Sequence, residues 1–151
     1  MNNEQLAAKI SGFLPGVVCE QKQYVTVTVH QNQFLDTLQV LKSNNELFFD
    51  YLITLTGVDN KDNFAISYVL TSSQHNHTII VKVIIADKLN PAIDSVTSLW
   101  RTAEFQEREI YDLLGIVFHN HPDMRRIFLS DDWVGYPLRK DYKDEVNIVE
   151  R

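Results

Sequence analysis

The stretch EREIYDLLGIVFHNHPDMRR, residues 107–126, sets Glu107, Arg108, Glu109, Asp112, His119, His121, Asp123, Arg125 and Arg126 around one apolar run. Side chains of these types support three kinds of chemistry. Paired carboxylates do general acid–base work, histidines with a carboxylate hold a metal, and arginines with acids form the polar part of a contact with another chain. His119 and His121 stand two apart, as two ligands on an extended strand would, and His75 and His77 repeat that spacing. A zinc or iron site needs further ligands at defined positions and partners behind them, and neither pair has these nearby. The plainer expectation makes His75 and His77 loop residues and has His119 and His121 cap or hydrogen-bond backbone. A small metal-dependent hydrolase built on His119, His121 and Asp123 stands as the rival from another class. Nucleophilic chemistry has less support: the single cysteine, Cys19, is remote from every histidine, and no serine occupies a G-x-S-x-G elbow. With five glycines and no glycine-rich phosphate loop, the chain offers no cofactor cradle.

The element that must position the cluster is a helix from about Ala103 to Leu114, ended by Gly115. At about 100° per residue, Ala103, Ile110, Tyr111, Leu113 and Leu114 form an apolar arc. Glu104, Arg108 and Asp112 follow at intervals of four, so opposite charges alternate along a ridge expected to face solvent, with Glu109 beside them. Glu107 is different. It falls inside the apolar arc, where a carboxylate is costly unless paired or hydrogen-bonded. The expected partners are Arg125 or Arg126 returning from the far end of the stretch, or backbone N–H groups. Structural pairing is favoured over acid–base catalysis, because no second residue is fixed beside Glu107 by spacing.

Upstream, periodicity predicts a helix over 3–13, with Leu6, Ala7, Ile10 and Leu14 on one face and Pro15-Gly16 as its stop. VVCEQKQYVTVTV predicts a hairpin turning at Glu20 to Gln23, with Val25, Val27 and Val29 on one side and Cys19 as a small apolar side chain in a strand. A second helix is expected from about Asn32 to Ser43, ended by Asn44-Asn45. Strands follow: LFFDYLITLTGVD, a turn from Gly57 to Asn63, FAISYVLTS, the polar loop SQHNH, and TIIVKVIIA. Pro91 suits a helix start, so a short helix is expected over Ile93 to Leu99. The order predicts an α+β domain of two layers, a mixed, about five-stranded sheet with helices on one face. This core domain should occupy residues 1–115, followed by an extended C-terminal segment over 116–151.

In that segment apolar residues such as Phe118, Ile127, Phe128, Trp133, Val134, Tyr136, Leu138 and Tyr142 keep no period, and Pro122, Gly135 and Pro137 break any regular element. About 35 loop-like residues in a small domain point to function rather than disorder, because bulky apolar residues are scarce in disordered tails. The surface that covers them is expected to be a partner's. Arg139 offers a planar donor fork suited to a carboxylate on another chain, and Trp133, Tyr136 and Tyr142 are interface anchors by type. The Arg139-Lys140 pair suits phosphate less well, since Asp141 and later acids leave the tail near neutral. The alternative is a tail that folds back on its own sheet.

Composition limits the partners. A net charge of −6 disfavours both a phosphate-neutralising nucleic-acid binder and a polybasic membrane module. No apolar run approaches the roughly 20 residues of a spanning helix, and MNNEQLAAKI lacks a signal-peptide pattern. One cysteine rules out an internal disulfide framework or a multi-cysteine cluster, and a reducing, soluble compartment is expected.

Two motifs resemble a known family, the 30-kilodalton (or C) subunit of proton-pumping NADH:quinone oxidoreductase, respiratory complex I. One is Glu107-Arg108-Glu109, Asp112, Leu113-Leu114, His121, Arg125, Ile127 and Phe128. The other is Gly135, Pro137, Leu138, Arg139, Lys140, Asp141 and Tyr142; LTGVD and Trp100 are also similar. Arg126 lies within the first of these stretches, and Trp133 lies between the two. The resemblance implies an α+β domain whose C-terminal segment wraps the large, hydrogenase-like quinone-site (or D) subunit and meets other peripheral-arm subunits. It implies no catalytic residue and no cofactor on this chain, with NADH, FMN, iron–sulfur clusters and quinone belonging to the assembled complex. It further implies a peripheral position on the cytoplasmic side of the cell membrane. Many relatives carry a longer C-terminus, so the tail's grip is expected to be shorter here. The signature also occurs in energy-converting hydrogenases and formate hydrogenlyases, which leaves the equivalent subunit of those complexes as an alternative.

Overall fold

The computed structural model describes residues 2–130, 132–140 and 142; Asp141, named in the second motif, lies outside them. Helix α1 spans Asn3–Phe13 and begins at a reciprocal cap, the Asn2 side chain accepting from the Gln5 N–H and the Gln5 side chain from the Asn2 N–H. Strands β1 (Val18–Gln21) and β2 (Val25–Val29) form the expected hairpin, with Cys19 half-buried in β1. A single 3-10 turn at Gln31–Gln33 leads into α2, Phe34–Ser43. Then come β3 (Tyr51–Asp59), β4 (Phe64–Ser72), β5 (His77–Ile85), β6 (Ala92–Asp94), α3 (Ala103–Leu114) and β7 (Val117–His119).

Five strands form one mixed sheet in the order β1-β2-β5-β4-β3, with β2 and β5 parallel and the other neighbours antiparallel. Its register sets Val27, Val81, Tyr68 and Leu55 side by side, all buried, while Thr26, Ile80, Val69 and Thr54 on the other face are only partly covered. One face is therefore the core side, and the helices lie on it. Phe34 of α2 packs its ring 5.1 Å from that of Tyr68. A Cβ on Gly57 of β3 would stand 2.9 Å from Leu114 Cδ1 and 3.2 Å from Ile110 Cγ2, so α3 approaches the sheet closely at a residue that only glycine fits. The turn expected from Gly57 onward begins after Asp59 instead; Gly57 stays in the strand because the helix needs the space beside it.

Two further expectations are corrected. Ile93 to Leu99 is not a helix. Residues Ala92–Asp94 form β6, which pairs in parallel with β7 as a second, two-stranded sheet. Ile93 and Val96 are both buried, a spacing that suits a helix; pairing with a strand 25 positions later in the chain, Ala92 opposite Val117, overrides it. Likewise, His77 is not a loop residue. It opens β5, is buried, and its Nε2 donates to the Leu47 carbonyl at 3.1 Å, while His75 in the turn does the same to the Asn45 carbonyl at 2.9 Å. Past Gly115, Ile116 and Phe118 belong to the same core.

Candidate functional site

Helix α3 ends at Gly115, whose left-handed φ of 77° turns the chain back. The returning segment lies across the side of α3 expected to face water. Arg108 and Asp112 are consequently buried, at 7% and 0% exposure, and the expected solvated ridge is overturned. Arg108 does not pair along its helix. Its Nε and Nη2 donate to the carbonyls of Arg125 and Arg126 at 3.1 and 3.0 Å.

Asp112 is the centre of the arrangement. Its Oδ2 accepts three consecutive backbone N–H groups, from Ile127 (3.2 Å), Phe128 (2.7 Å) and Leu129 (3.0 Å), and Arg126 Nη1 lies 3.0 Å from Oδ1. Burial opposes ionisation of this carboxyl, but the N–H groups of Leu129 and Phe128 and the Arg126 guanidinium outweigh it and hold the pKa below its usual value. Arg126 also donates to the Asp112 and Gly135 carbonyls, so one guanidinium ties the helix to both limbs of the segment.

Glu107, fully buried, is bound by neither arginine. Arg125 pairs with Asp123 and Arg126 with Asp112. The Glu107 carboxylate accepts from the Ser95 hydroxyl (2.6 Å) and the Val96 N–H (3.0 Å), fulfilling the backbone alternative. Burial pushes its pKa up to about 7 against these two bonds. His121 donates from Nε2 to the Glu104 carbonyl and accepts the Asp123 N–H at Nδ1, both at 2.9 Å. Both ring nitrogens are thus occupied, His119 is exposed on β7, and the metal triad of His119, His121 and Asp123 is not assembled. Among the described residues no group of three His, Cys, Asp or Glu side chains is placed to hold a metal.

In the second motif, Arg139 is engaged within the chain. Its Nε donates to the Leu114 carbonyl at 2.5 Å, and its guanidinium lies between the rings of Tyr136 and Phe64, 4.8 and 5.3 Å from their centroids. The Leu138 N–H donates to the Leu113 carbonyl. The Lys140 N–H donates to Asp59, a buried carboxylate that also holds Lys88 at 2.5 Å and the Lys61 N–H. A Cβ on Gly115 would sit 2.6 Å from the Tyr136 ring, so this glycine serves the close approach as well as the turn. The Tyr142 ring abuts Gly135, which has φ 92°. Glu109 is partly buried at the edge of an apolar cleft of about 180 Å³ lined by Leu55, Leu114 and Leu138. The polar groups face inward, while Phe105, Phe128, Trp133, Val134 and Leu138 remain exposed, Val134 at 88%; Pro122 is also at the surface and Pro137 partly covered. Sequence reasoning missed Ser95 and Val96, which carried no signal; it met Asp59 only as the last residue of LTGVD and gave it no role.

Residues 27–146 match the family described as respiratory-chain NADH dehydrogenase, 30 Kd subunit. The C subunit of an NADH-quinone oxidoreductase from Roseiflexus castenholzii is 34% identical over 147 residues, covering 93% of this chain and 84% of its own. The C subunit from Chloroherpeton thalassium is 49% identical over 105 residues, 68% of this chain and 43% of its own. A C/D subunit from Phocaeicola vulgatus is 44% identical over 110 residues, 72% of this chain and 21% of its own. The chain thus spans less than half the length of the last two relatives. In fold it is similar to a chain of the membrane-bound sulfane sulfur reductase, an archaeal respiratory membrane complex, with a TM-score of 0.81 at 23% identity over 95% of this chain and 86% of that one. With the family pattern extending over most of the molecule, from β2 through the Asp112-centred segment, the chain belongs to the respiratory-chain NADH dehydrogenase 30 Kd subunit family.

Proposed function

We propose that the chain is an assembly subunit of the peripheral arm of an NADH:quinone oxidoreductase, docking on the large quinone-site (D) subunit and contributing no catalytic residue. The observation that carries this reading is the orientation of the returning segment. Arg108, Asp112, Arg126 and Arg139 are spent on internal bonds that hold it to α3, and its apolar side chains Phe128, Trp133, Val134 and Leu138 are left outside. An apolar row on a rigidly held backbone suits a permanent partner. The C/D name of relatives of which this chain matches about a fifth supports the D subunit as that partner. The relatives' names support the NADH:quinone reading over the hydrogenase alternative.

Transfer of electrons from NADH to quinone and proton translocation are then properties of the whole complex, with NADH, FMN, iron–sulfur clusters and quinone bound by other chains. The chain sits peripherally on the cytoplasmic side of the membrane; no described helix is long and apolar enough to cross one. Co-expression with the large quinone-site partner tests the reading. Trp133→Ser combined with Val134→Asp should reduce capture at least tenfold, as loss of one aromatic anchor costs about 2 kcal/mol, with the circular dichroism spectrum unchanged. Arg139→Ala should weaken capture indirectly, by freeing the segment. Undiminished capture of both variants would overturn the docking face.

A further inference from the structure

Glu107 is a carboxylate enclosed on every side. Ser95 and Val96, in the loop after β6, bond its two oxygens. From β4, the Tyr68 hydroxyl lies buried with no hydrogen-bond partner among the described residues, and its phenol is held protonated by burial and by the Glu107 charge. From the returning segment, His121 Nε2 stands 4.0 Å from Glu107 Oε1, with both side chains at 0% exposure, and no other basic group comes within ion-pair distance among the described residues. On its own helix, Arg108 turns away to the carbonyls of Arg125 and Arg126. The hydroxyl of Ser95 also lies 2.9 Å from that of Thr97 and can rotate between donating to Glu107 and donating to Thr97.

We propose that Glu107 is a proton-binding switch inside the fold, holding the 95–97 loop and the 121–123 turn firmly on α3 when protonated and less firmly when ionised. In the protonated form, the carboxyl accepts the Val96 N–H on one oxygen and donates from the other to Ser95, whose own proton turns to Thr97. The carboxyl, the Ser95 hydroxyl and the Val96 N–H are then all satisfied, and Glu107 carries no charge. Release of the proton to solvent leaves an anion with no full counter-charge. The two ring nitrogens of His121 are engaged elsewhere, Nε2 with the Glu104 carbonyl and Nδ1 with the Asp123 N–H. Opening of the loop and turn lets water reach the anion, so opening becomes easier as the carboxyl ionises. Its pKa of about 7 puts the change in the neutral range.

Two measurements on the full chain test it. Carbon-13 detection of the carboxyl should show Glu107 titrating near neutral pH. Amide exchange, corrected for intrinsic rates, should show protection of Val96 and Asp123 falling by up to about tenfold per pH unit between about pH 5 and 6.5 and levelling off above about 7, since the open form ionises at ordinary carboxylate values. In Glu107→Gln, which keeps the shape and stays neutral, protection should not vary with pH. A Glu107 midpoint below about 5, or the same pH dependence in parent and variant, would overturn the switch. The titration decides it in the unaltered chain even if the variant fails to fold.

Discussion

Replacing Asp112 by asparagine tests whether one buried carboxylate holds the returning segment on α3. The shape is preserved, but one oxygen becomes an NH2 group. If the remaining oxygen faces the N–H groups of Ile127, Phe128 and Leu129, the NH2 confronts Arg126 Nη1, donor against donor. If the amide is reversed, three N–H groups lose their acceptor. The first orientation costs less, and it still leaves a guanidinium at 9% side-chain exposure without a counter-charge. Breaking a buried pair on one side costs about 3–5 kcal/mol. Arg126 keeps two carbonyl acceptors, at Asp112 and Gly135, so the lower figure of about 3 kcal/mol applies. That corresponds to a fall of roughly 100-fold in protection of the 127–129 amides. Amide exchange resolved by residue, with limited proteolysis between residues 125 and 140, measures it. If the segment opens independently of the core, the melting temperature moves little while protection collapses. Protection within about threefold of the parent would refute the carboxylate's role.

Asp112 and Asp59 are held below the ordinary carboxyl value of 3.8, each against its burial, Asp59 by Lys88 and the N–H groups of Lys140 and Lys61. Their contribution is complete above that value and is lost as pH falls through the folded-state pKa, so the segment should detach in acid.

Gly115→Ala should destabilise the segment by about 2–4 kcal/mol, from the left-handed φ and from displacement of the Tyr136 ring, read as a lower denaturation midpoint and faster proteolysis after residue 115. An unchanged midpoint would mean that the ring moves aside freely. The His77 pKa is lowered by burial first, with the charges of His75 and Lys9 adding to it and the Leu47 carbonyl opposing it. A lowered base favours unfolding as pH falls below its ordinary 6.5, so His77→Phe should gain on the parent between about pH 7 and 5 in urea titrations. A pH-independent gap would reject this. Glu107 acts in the opposite sense over the same interval, which is why the two must be measured in separate variants.

Elements with local causes were legible in the order of residues. Alternating valines set β2, the run Phe64–Ser72 set β4, and both helix ends that carry a glycine or proline stop, α1 and α3, fall where those residues put them. The motif residues that show the family were legible for the same reason: they are read in order along the chain. Long-range packing chose which side of α3 is buried, because water and a returning chain favour different residues on one helix face, and the helix repeat cannot tell them apart. Packing also drew Ile93 into a strand, gave Glu107 to Ser95 rather than to an arginine, and turned Arg139 inward. Each of these outcomes depends on groups at least 11 positions apart meeting in space, and a buried charge takes whichever such partner geometry supplies.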